Sequence, residues 1–253
     1  MSTILITGCK RGLGLALAKH LATATSTDRI SKILVTSRGG TSAELQSVID
    51  ASGGRVVNVP CEPTQQKSVM EMAKTVDGIL GEQGLDILVN NVGFAHKSKN
   101  ILEAEADKLL ESFDVNVVAT HRVTVALTPA LQRGKEKKIM MISSSVGSLA
   151  LSHMFKGASA YQISKTAMNS LGLQYSSFYK DDGFTVLMIS PGWLKTDLGS
   201  QYADLDVSVG AEKTIDIILA ANKSQNGKFV NISLPGWTNQ QGKETYDGAE
   251  IPW

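Results

Sequence analysis

Residues 3–14 read TILITGCKRGLG, and this stretch decides the fold. Its first residues are apolar or β-branched and predict a strand, whereas the apolar spacing after the glycines predicts a helix. Gly8 permits a tight turn out of the strand, Gly12 lets the backbone approach a pyrophosphate, and Gly14 lets the helix pack against the sheet. A glycine cluster between a strand and a helix predicts a dinucleotide-binding loop. The loop residues predicted to contact the cofactor are Gly8, Lys10, Arg11, Gly12, Leu13 and Gly14.

Strand-like and helical patterns alternate along the rest of the chain. Strands are predicted at residues 3–7, 32–36, 56–59, 86–90, 138–142, 185–189 and 228–232, and helices at residues 13–24, 43–51, 68–80, 104–132, 159–179 and 210–221. The strand runs are apolar almost continuously, as in strands covered on both faces. Alternation of this kind implies parallel strands joined by right-handed crossovers. We therefore expect an α/β fold, a single doubly wound Rossmann-like domain over residues 1–253, with a seven-stranded parallel sheet and helices on both faces.

The composition excludes several classes of protein. The 253 residues carry 25 basic and 24 acidic side chains, and the net charge of +1 gives no general attraction to nucleic acid or anionic lipid. The 2 cysteines form no CxxC pair and the 4 histidines show no metal-ligand spacing, so neither a disulfide framework nor a metal site is expected. No apolar run approaches the roughly 20 residues of a membrane span. We expect a cytoplasmic protein without nucleic-acid or membrane partners.

The end of the second predicted strand indicates which dinucleotide binds. NAD-binding proteins place a carboxylate there for the ribose hydroxyls, whereas NADP binding requires cations for the 2′-phosphate. This chain has Thr36, Ser37 and Arg38 at that position, with Lys10 and Arg11 in the nearby glycine loop. A guanidinium matches phosphate geometry and stays charged. The sequence therefore favours NADP(H) held by Arg11 and Arg38, while Lys10 fits equally well as a solvated loop lysine.

Tyr161 and Lys165 stand one helical turn apart on one face of a predicted helix. Ser144 follows the fifth strand, at the sheet edge where open α/β folds bind ligands, and Asn116 lies in the long helix. Lowering a phenol pKa from about 10 to about 7 requires roughly 4 kcal/mol, and an ammonium about 4 Å away supplies a similar amount. We expect Lys165, helped by the positive charge of an oxidised nicotinamide, to lower the pKa of Tyr161, the general acid, while Ser144 orients a carbonyl oxygen. Asn116 is expected to hold a water that connects Lys165 to solvent.

Several motifs recur together in one known family. They are TGxxxGxG at residues 7–14, NNxG at 90–93, a helical Asn116, Ser144, YxxxK at 161–165, and a Pro-Gly block followed by threonine at 191–196. With these motifs the chain resembles the short-chain dehydrogenase/reductase family along essentially its whole length. Ser143 and Ser145 flank the candidate serine, but Ser144 stands three residues before Gly147, as the family pattern requires.

The resemblance implies further contacts with the cofactor. Asn91 and Gly93 are expected under its adenosine part, and Leu194 and Thr196 at the nicotinamide carboxamide. Glu62 stands where the family commonly has an aspartate near the adenine, and is expected to accept from the adenine amino group. The cofactor contacts that the family motifs imply also include Tyr161, Lys165, Pro191 and Gly192.

The blocks at residues 191–197 and 247–253 resemble the sniffer-type carbonyl reductases, C-factor-like proteins and fungal ketoreductases, which are mostly NADPH-dependent. The terminal proline and tryptophan are expected to pack under the substrate loop. Ser144 and Tyr161 are further apart than is usual, so residues 148–157 are expected to form a loop over the substrate cleft. Substrate contacts are expected from Phe94, His153, Met154, Phe155 and Trp193.

The expected activity is NADPH-dependent reduction of a ketone, aldehyde or quinone by hydride transfer. A regulatory or signalling protein that binds NADP(H) with vestigial chemistry is an alternative, and so is a pathway-specific enzyme with a non-redox reaction on the same fold. A small-molecule carbonyl compound is the expected partner. The long helices and the carboxyl-terminal residues are compatible with a homodimer or homotetramer.

Overall fold

The computed structural model describes residues 1–24, 29–96, 98–155, 157–237 and 245–253. A parallel sheet of seven strands forms its centre: β1 (Ser2–Ile6), β2 (Ile30–Ser37), β3 (Val56–Pro60), β4 (Ile87–Asn90), β5 (Lys138–Ile142), β6 (Thr185–Ser190) and β7 (Phe229–Asn231). The strand order is β3-β2-β1-β4-β5-β6-β7, so the chain reverses its direction of winding between β1 and β4. The predicted fold class is confirmed, and each predicted strand is present with bounds that shift by at most two residues.

Helices cover both faces of the sheet, as predicted. They are α1 (Gly12–Thr23), α2 (Ala43–Ala51), α3 (Gln66–Leu80), α4 (Ala106–Phe113), α5 (Ala119–Arg133), α6 (Ser159–Phe178) and α7 (Val207–Ala220). One apolar cluster contains strand residues such as Leu5 and Leu88 together with the inner faces of α3, α5 and α6. The other contains their neighbours, such as Ile4 and Ile87, with α1, α2 and α7. Alternate residues of each strand therefore enter opposite cores, which explains the nearly continuous apolar runs.

The prediction of one continuous helix over residues 104–132 is wrong, because a π-helical turn divides this span. The segment Asp114–Val118 forms a π-helical turn between α4 and α5. Asn116 lies in this turn, and its side chain bonds to the loop after β4 and to α6 rather than to solvent. Local widening of a helix is frequent at functional sites because it redirects a side chain. A regular period of 3.6 in the sequence gives no sign of it.

Asp86 stabilises the end of the sheet opposite the glycine loop. Its carboxylate is buried and accepts hydrogen bonds from the backbone N–H groups of Thr3 (2.8 Å), Lys135 (2.6 Å) and Glu136 (3.2 Å). The Thr3 hydroxyl donates a further bond of 3.2 Å. One buried acceptor thus connects β1 with the residues that lead into β4 and β5, the strands that carry the glycine loop and the serines.

The last described segment closes the β7 edge of the sheet. Residue 251 donates from its backbone to Phe229 (2.7 Å), and Val230 pairs with Glu250 in an antiparallel bridge. The carbonyl of Pro252 accepts from the Ser148 hydroxyl at 2.5 Å, and that of Trp253 from the backbone of residue 150 at 3.0 Å. The predicted packing of the terminal proline and tryptophan under the loop after Ser144 is therefore confirmed.

Candidate active site

The carboxyl ends of β1, β4, β5 and β6 bring the predicted site residues to one edge of the sheet. In open α/β folds ligands bind at this edge, next to the point where the strand order reverses. Here the glycine loop follows β1, the NNxG block ends β4, the serines follow β5, and the Pro-Gly block follows β6. The predicted groups are thus drawn from segments far apart in the chain.

The glycine loop has the shape that a dinucleotide requires. Gly8 and Gly12 adopt positive φ angles of 72° and 57°, a conformation that L side chains rarely adopt. A Cβ atom on Gly14 would lie 2.4 Å from the carbonyl oxygen of Gly8 and 2.6 Å from Nδ2 of Asn91. Only glycine therefore lets α1 begin so close to β1. The side chain of Arg11, the residue before α1, makes no capping hydrogen bond, so the first N–H groups of the helix can serve an anion.

Asn91 supports the glycine loop from below. Its Nδ2 donates to the carbonyl oxygens of Thr7 (2.7 Å) and Gly8 (3.3 Å). The Thr7 hydroxyl accepts from the backbone N–H groups of Asn91 (2.9 Å) and Val92 (3.1 Å). A Cβ on Gly93 would lie 3.8 Å from Nζ of Lys165, so Gly93 stands on the catalytic side of the site. The structure thus gives Asn91 a role in shaping the loop, and the expected contacts of Asn91 and Gly93 with the cofactor stay predictions.

The predicted cations separate into two groups. Lys10 donates from Nζ to the carbonyl oxygen of Arg38 at 3.4 Å, and the Arg38 guanidinium lies 3.5 Å from the carboxylate of Glu62. These three residues form one cluster beside the end of β2. Arg11 instead pairs with Asp197 at 2.7 Å, in the loop after β6. The structure therefore brings Lys10, Arg38 and Glu62 together and pairs Arg11 with the loop after β6.

The loop after β6 lies opposite the glycine loop. Thr196 is the residue nearest to a Cβ built on Gly12, at 3.7 Å. The Thr196 hydroxyl accepts from the backbone of residue 199 at 3.1 Å, and Leu194 forms a parallel bridge with Leu205. Pro191 and Gly192 lead directly out of β6 into this loop. The groove between the two loops is the place where the predicted cofactor contacts of the Pro-Gly block face the glycine loop.

Tyr161 and Lys165 lie on one face of α6, directed toward the residues that end β5. The Ser144 hydroxyl hydrogen-bonds the Tyr161 hydroxyl. Lys165 is only 2% exposed, lies 5.5 Å from the centre of the Tyr161 ring, and donates from Nζ to the carbonyl oxygen of Ile142 at 2.7 Å. The helix spacing and the strand end thus bring a phenol, a hydroxyl and an ammonium into one small space.

The neighbouring serines have other partners. The Ser143 hydroxyl donates to Oδ1 of Asn169 at 2.5 Å, inside the protein. Ser145 is buried, and its backbone N–H donates to the Ser190 hydroxyl at 3.1 Å. Ser144 is the partly exposed member of the three, and it is the one in contact with Tyr161. The geometry therefore favours Ser144 as the candidate.

Burial acts on the pKa of both ionisable groups in this cluster. Burial raises the pKa of Tyr161 to about 12, and the hydrogen bond from Ser144 opposes this rise. Burial also lowers the pKa of Lys165 to about 7. The Lys165 ammonium is itself desolvated and donates to a backbone carbonyl, and the lowering of the Tyr161 pKa by Lys165 together with a bound nicotinamide stays a prediction. In this arrangement Tyr161 keeps its proton at neutral pH and Lys165 is close to half protonated.

Asn116 joins two parts of the site through its side chain. Its Oδ1 accepts from the backbone N–H of Phe94 at 2.7 Å, and its Nδ2 donates to the Phe94 carbonyl and to the Ser164 hydroxyl, both at 2.8 Å. Both ends of the amide therefore have protein partners. The Asn116 side chain therefore holds the loop after β4 against α6, next to Lys165, while the expected water contact stays a prediction.

The predicted substrate residues differ in their exposure. Phe94, Met154 and Phe155 are partly buried, whereas His153 is exposed. The Trp193 indole donates to the carbonyl oxygen of residue 199 at 2.6 Å, which fixes the ring against its own loop. The predicted loop over residues 148–157 contains Lys156, which lies outside the described residues.

The sequence reasoning missed several residues of the site. Ser164, directly before Lys165, connects α6 to Asn116, and Asp197, directly after Thr196, holds Arg11. Their positions inside quoted motifs were a signal that they face the site. Tyr246 had no such signal: its hydroxyl accepts from the backbone of Trp193 at 3.2 Å from a distant part of the chain.

Two further structural features concern metals and membranes. Within the described residues, no three His, Cys, Asp or Glu side chains come together as a group that could hold a metal ion. In the same part of the chain, none of the helices has the length and apolar character needed to cross a membrane.

Comparison with known proteins identifies the family. The model of the short chain dehydrogenase family matches residues 2–205, and the chain therefore belongs to this family. The short-chain dehydrogenase RED3 of Pyricularia oryzae is 29% identical over 271 aligned positions, which cover 100% of this chain and 98% of that protein. Among solved structures, the carbonyl reductase Sniffer of D. melanogaster is 28% identical, with a TM-score of 0.87 and 100% coverage of both chains. The NADPH-bound carbonyl reductase from chicken fatty liver shares the fold, at 24% identity and a TM-score of 0.87 over 100% of this chain and 94% of that one.

Proposed function

We propose that the protein reduces a ketone, aldehyde or quinone carbonyl with NADPH as the hydride donor. The observation that carries this proposal is the cluster of Tyr161, Ser144 and Lys165 at the carboxyl edge of the sheet, beside the groove of the glycine loop. A carbonyl oxygen placed at the two hydroxyls would meet a hydrogen-bond donor and a proton donor together. A bound nicotinamide supplies the hydride.

Tyr161 acts as the general acid. Reduction turns a carbonyl oxygen into an alkoxide, which is a far stronger base than a phenolate, so a phenol that is protonated at neutral pH can donate its proton. With a pKa of about 12, the Tyr161 phenol is protonated at neutral pH and is therefore available as the proton donor. Ser144 polarises the same oxygen by donating a hydrogen bond. The Lys165 ammonium, with a pKa near 7, can return a proton to the phenolate after each cycle.

The residues around the glycine loop favour NADP(H) over NAD(H). β2 ends in Thr36 and Ser37 with Arg38 immediately after it, so no carboxylate stands where a ribose 2′-hydroxyl would need one. Lys10 lies within 3.4 Å of the Arg38 carbonyl, which gives this end of the groove two cations. The NADPH-bound reductase that shares the fold agrees with this choice of cofactor.

A panel of ketones, aldehydes and quinones, with NADPH oxidation followed at 340 nm, tests the proposal. Tyr161→Phe should lower kcat by about 10²-fold or more, because general-acid catalysis contributes typically 10²–10⁴-fold, and should leave the Kd for NADPH unchanged. Tyr175→Phe is a matched control. Tyr175 lies on the same helix, about 21 Å further along its axis, and its hydroxyl bonds to His121. An equal loss of activity in both variants would refute the role of Tyr161.

Binding without turnover is the result that would favour a different function. If the wild-type protein binds NADPH tightly but reduces no member of the panel, the regulatory or signalling alternative gains support. If substrate is consumed without oxidation of NADPH, product analysis by mass spectrometry would identify a non-redox reaction on the same site.

A further inference from the structure

Arg11 and Asp197 form an ion pair across the groove between the glycine loop and the loop after β6. Nη1 of Arg11 lies 2.7 Å from Oδ2 of Asp197. The side chains are 78% and 77% exposed, so both are within reach of a ligand. The neighbouring residues Gly12 and Thr196 also face each other, at 3.7 Å from the Cβ position of the glycine. The pair therefore joins the glycine loop to the loop after β6.

This ion pair holds one of the two arginines that the sequence assigns to the 2′-phosphate. The other, Arg38, lies 3.5 Å from Glu62, a longer contact than the 2.7 Å of Arg11 with Asp197. Glu62 is also engaged by the Thr64 hydroxyl at 2.8 Å, which shares its charge. Arg38 is thus the less tightly held guanidinium, and Arg11 must leave a short contact before it can meet a phosphate near Arg38.

We infer that Asp197 competes with the cofactor 2′-phosphate for Arg11 and thereby limits the preference for NADP(H) over NAD(H). The inference rests on the proposed use of NADP(H). A phosphate monoester attracts a guanidinium more strongly than one carboxylate does, because it carries more negative charge. The phosphate therefore takes Arg11 from Asp197, but the free energy of the broken pair is subtracted from its binding. NAD(H) has no 2′-phosphate, so its binding leaves the pair intact.

The size of the effect follows from the exposure of the pair. Exposed ion pairs contribute about 0.2–1 kcal/mol, which corresponds to a change in Kd of up to about fivefold. Asp197→Asn removes the competing charge and keeps the shape of the side chain. We expect this variant to bind NADPH up to about fivefold more tightly and to bind NADH with unchanged Kd.

Isothermal titration calorimetry of NADPH and NADH against the full-length protein tests the inference without any need for turnover. Arg11→Gln should weaken NADPH binding, and adding Asp197→Asn to it should bring no gain, since the competed cation is gone. Asp206→Asn is the matched control: Asp206 pairs with Lys195 at 3.1 Å in the same part of the chain, outside the glycine loop. This control should bind both cofactors like the wild type.

The outcomes separate this inference from the proposed function. If Asp197→Asn binds NADPH no more tightly, or gains equally for NADH, competition for Arg11 is wrong while NADPH-dependent turnover of the wild type still stands. If the wild type binds neither NADPH nor NADH, the proposed function fails and the inference fails with it. Thermal melting of Asp197→Asn should match the wild type, because the pair is exposed.

Discussion

Replacing Lys165 by methionine should stabilise the protein while removing its activity. The pKa of Lys165 falls from 10.5 to about 7 because the group is buried. At about 1.36 kcal/mol per pH unit, burial of this ammonium destabilises the folded state at pH 7 by about 5 kcal/mol. Methionine has a similar length and no charge, so the variant avoids this penalty.

One hydrogen bond opposes the gain. Nζ of Lys165 donates to the carbonyl oxygen of Ile142 at 2.7 Å, and methionine leaves that buried acceptor without this donor. An unsatisfied buried acceptor costs about 1–3 kcal/mol. The difference predicts that Lys165→Met raises the free energy of unfolding at pH 7 by about 2–4 kcal/mol.

The gain should depend on pH in a definite direction. Between pH 7 and 10.5 the unfolded lysine holds a proton that the folded one has released, so the wild-type stability rises with pH in this window. Below pH 7 both states are protonated and the penalty is constant. The methionine variant has no such dependence. Its advantage should therefore shrink by about 1.36 kcal/mol per unit above pH 7 and approach zero near pH 9.5.

Urea denaturation at pH 6.5, 7, 8 and 9.5, followed by circular dichroism, measures this difference. Lys138→Met is the control, because Lys138 is also buried but lies 2.8 Å from the carboxylate of Glu136. Replacing Lys138 leaves the Glu136 carboxylate without this partner and should destabilise the protein across this pH range. A Lys165→Met protein that is less stable than the wild type at pH 7, or whose advantage does not change with pH, would refute the reasoning.

Three other substitutions test the remaining parts of the site and fold. Ser144→Ala should lower kcat by about 10²-fold, as expected for loss of one donor to a reacting oxygen, with little change in the Kd for NADPH measured by fluorescence titration. Gly14→Ala places a Cβ 2.4 Å from the Gly8 carbonyl oxygen, and overpacking of this kind costs about 1–3 kcal/mol. Calorimetry should therefore show that this variant binds NADPH more weakly. Unchanged binding would contradict the loop geometry. Asp86→Asn removes an acceptor from buried N–H groups and should lower the free energy of unfolding by about 2–3 kcal/mol in urea, whereas kinetic constants of the folded variant should match the wild type.

The fold could be predicted from the sequence because its signals are local. Apolar strand runs, helical spacing and the glycine loop at residues 7–14 each report on a few neighbouring residues, and parallel alternation then permits few topologies. The helix bounds moved where local signals were weak, as at Val207, three residues before the predicted start of the last helix. The π-helical turn at Asn116 was invisible because its cause is a set of hydrogen bonds to Phe94 and Ser164, which lie elsewhere in the chain.

The composition of the candidate site was also readable, but its charges were not. Motif order brought Tyr161, Ser144 and Lys165 together as expected. Spacing along a helix says nothing of how deeply a side chain is buried, and burial is what raises one pKa and lowers the other. The partner of Arg11 was likewise hidden, since Asp197 is separated from it by 186 positions.

Transfer of isotope from labelled cofactor tests the central claim most directly. NADPH carrying deuterium on the transferred position of the nicotinamide is incubated with a ketone that the protein reduces, and the product alcohol is examined by mass spectrometry. One deuterium on the former carbonyl carbon is the predicted result for the wild type, and a Tyr161→Phe protein that still binds NADPH should form the labelled alcohol about 10²-fold more slowly or worse. Labelled alcohol formed equally fast without the Tyr161 hydroxyl would contradict proton donation by Tyr161, and an alcohol without deuterium would contradict hydride transfer from NADPH to the carbonyl carbon.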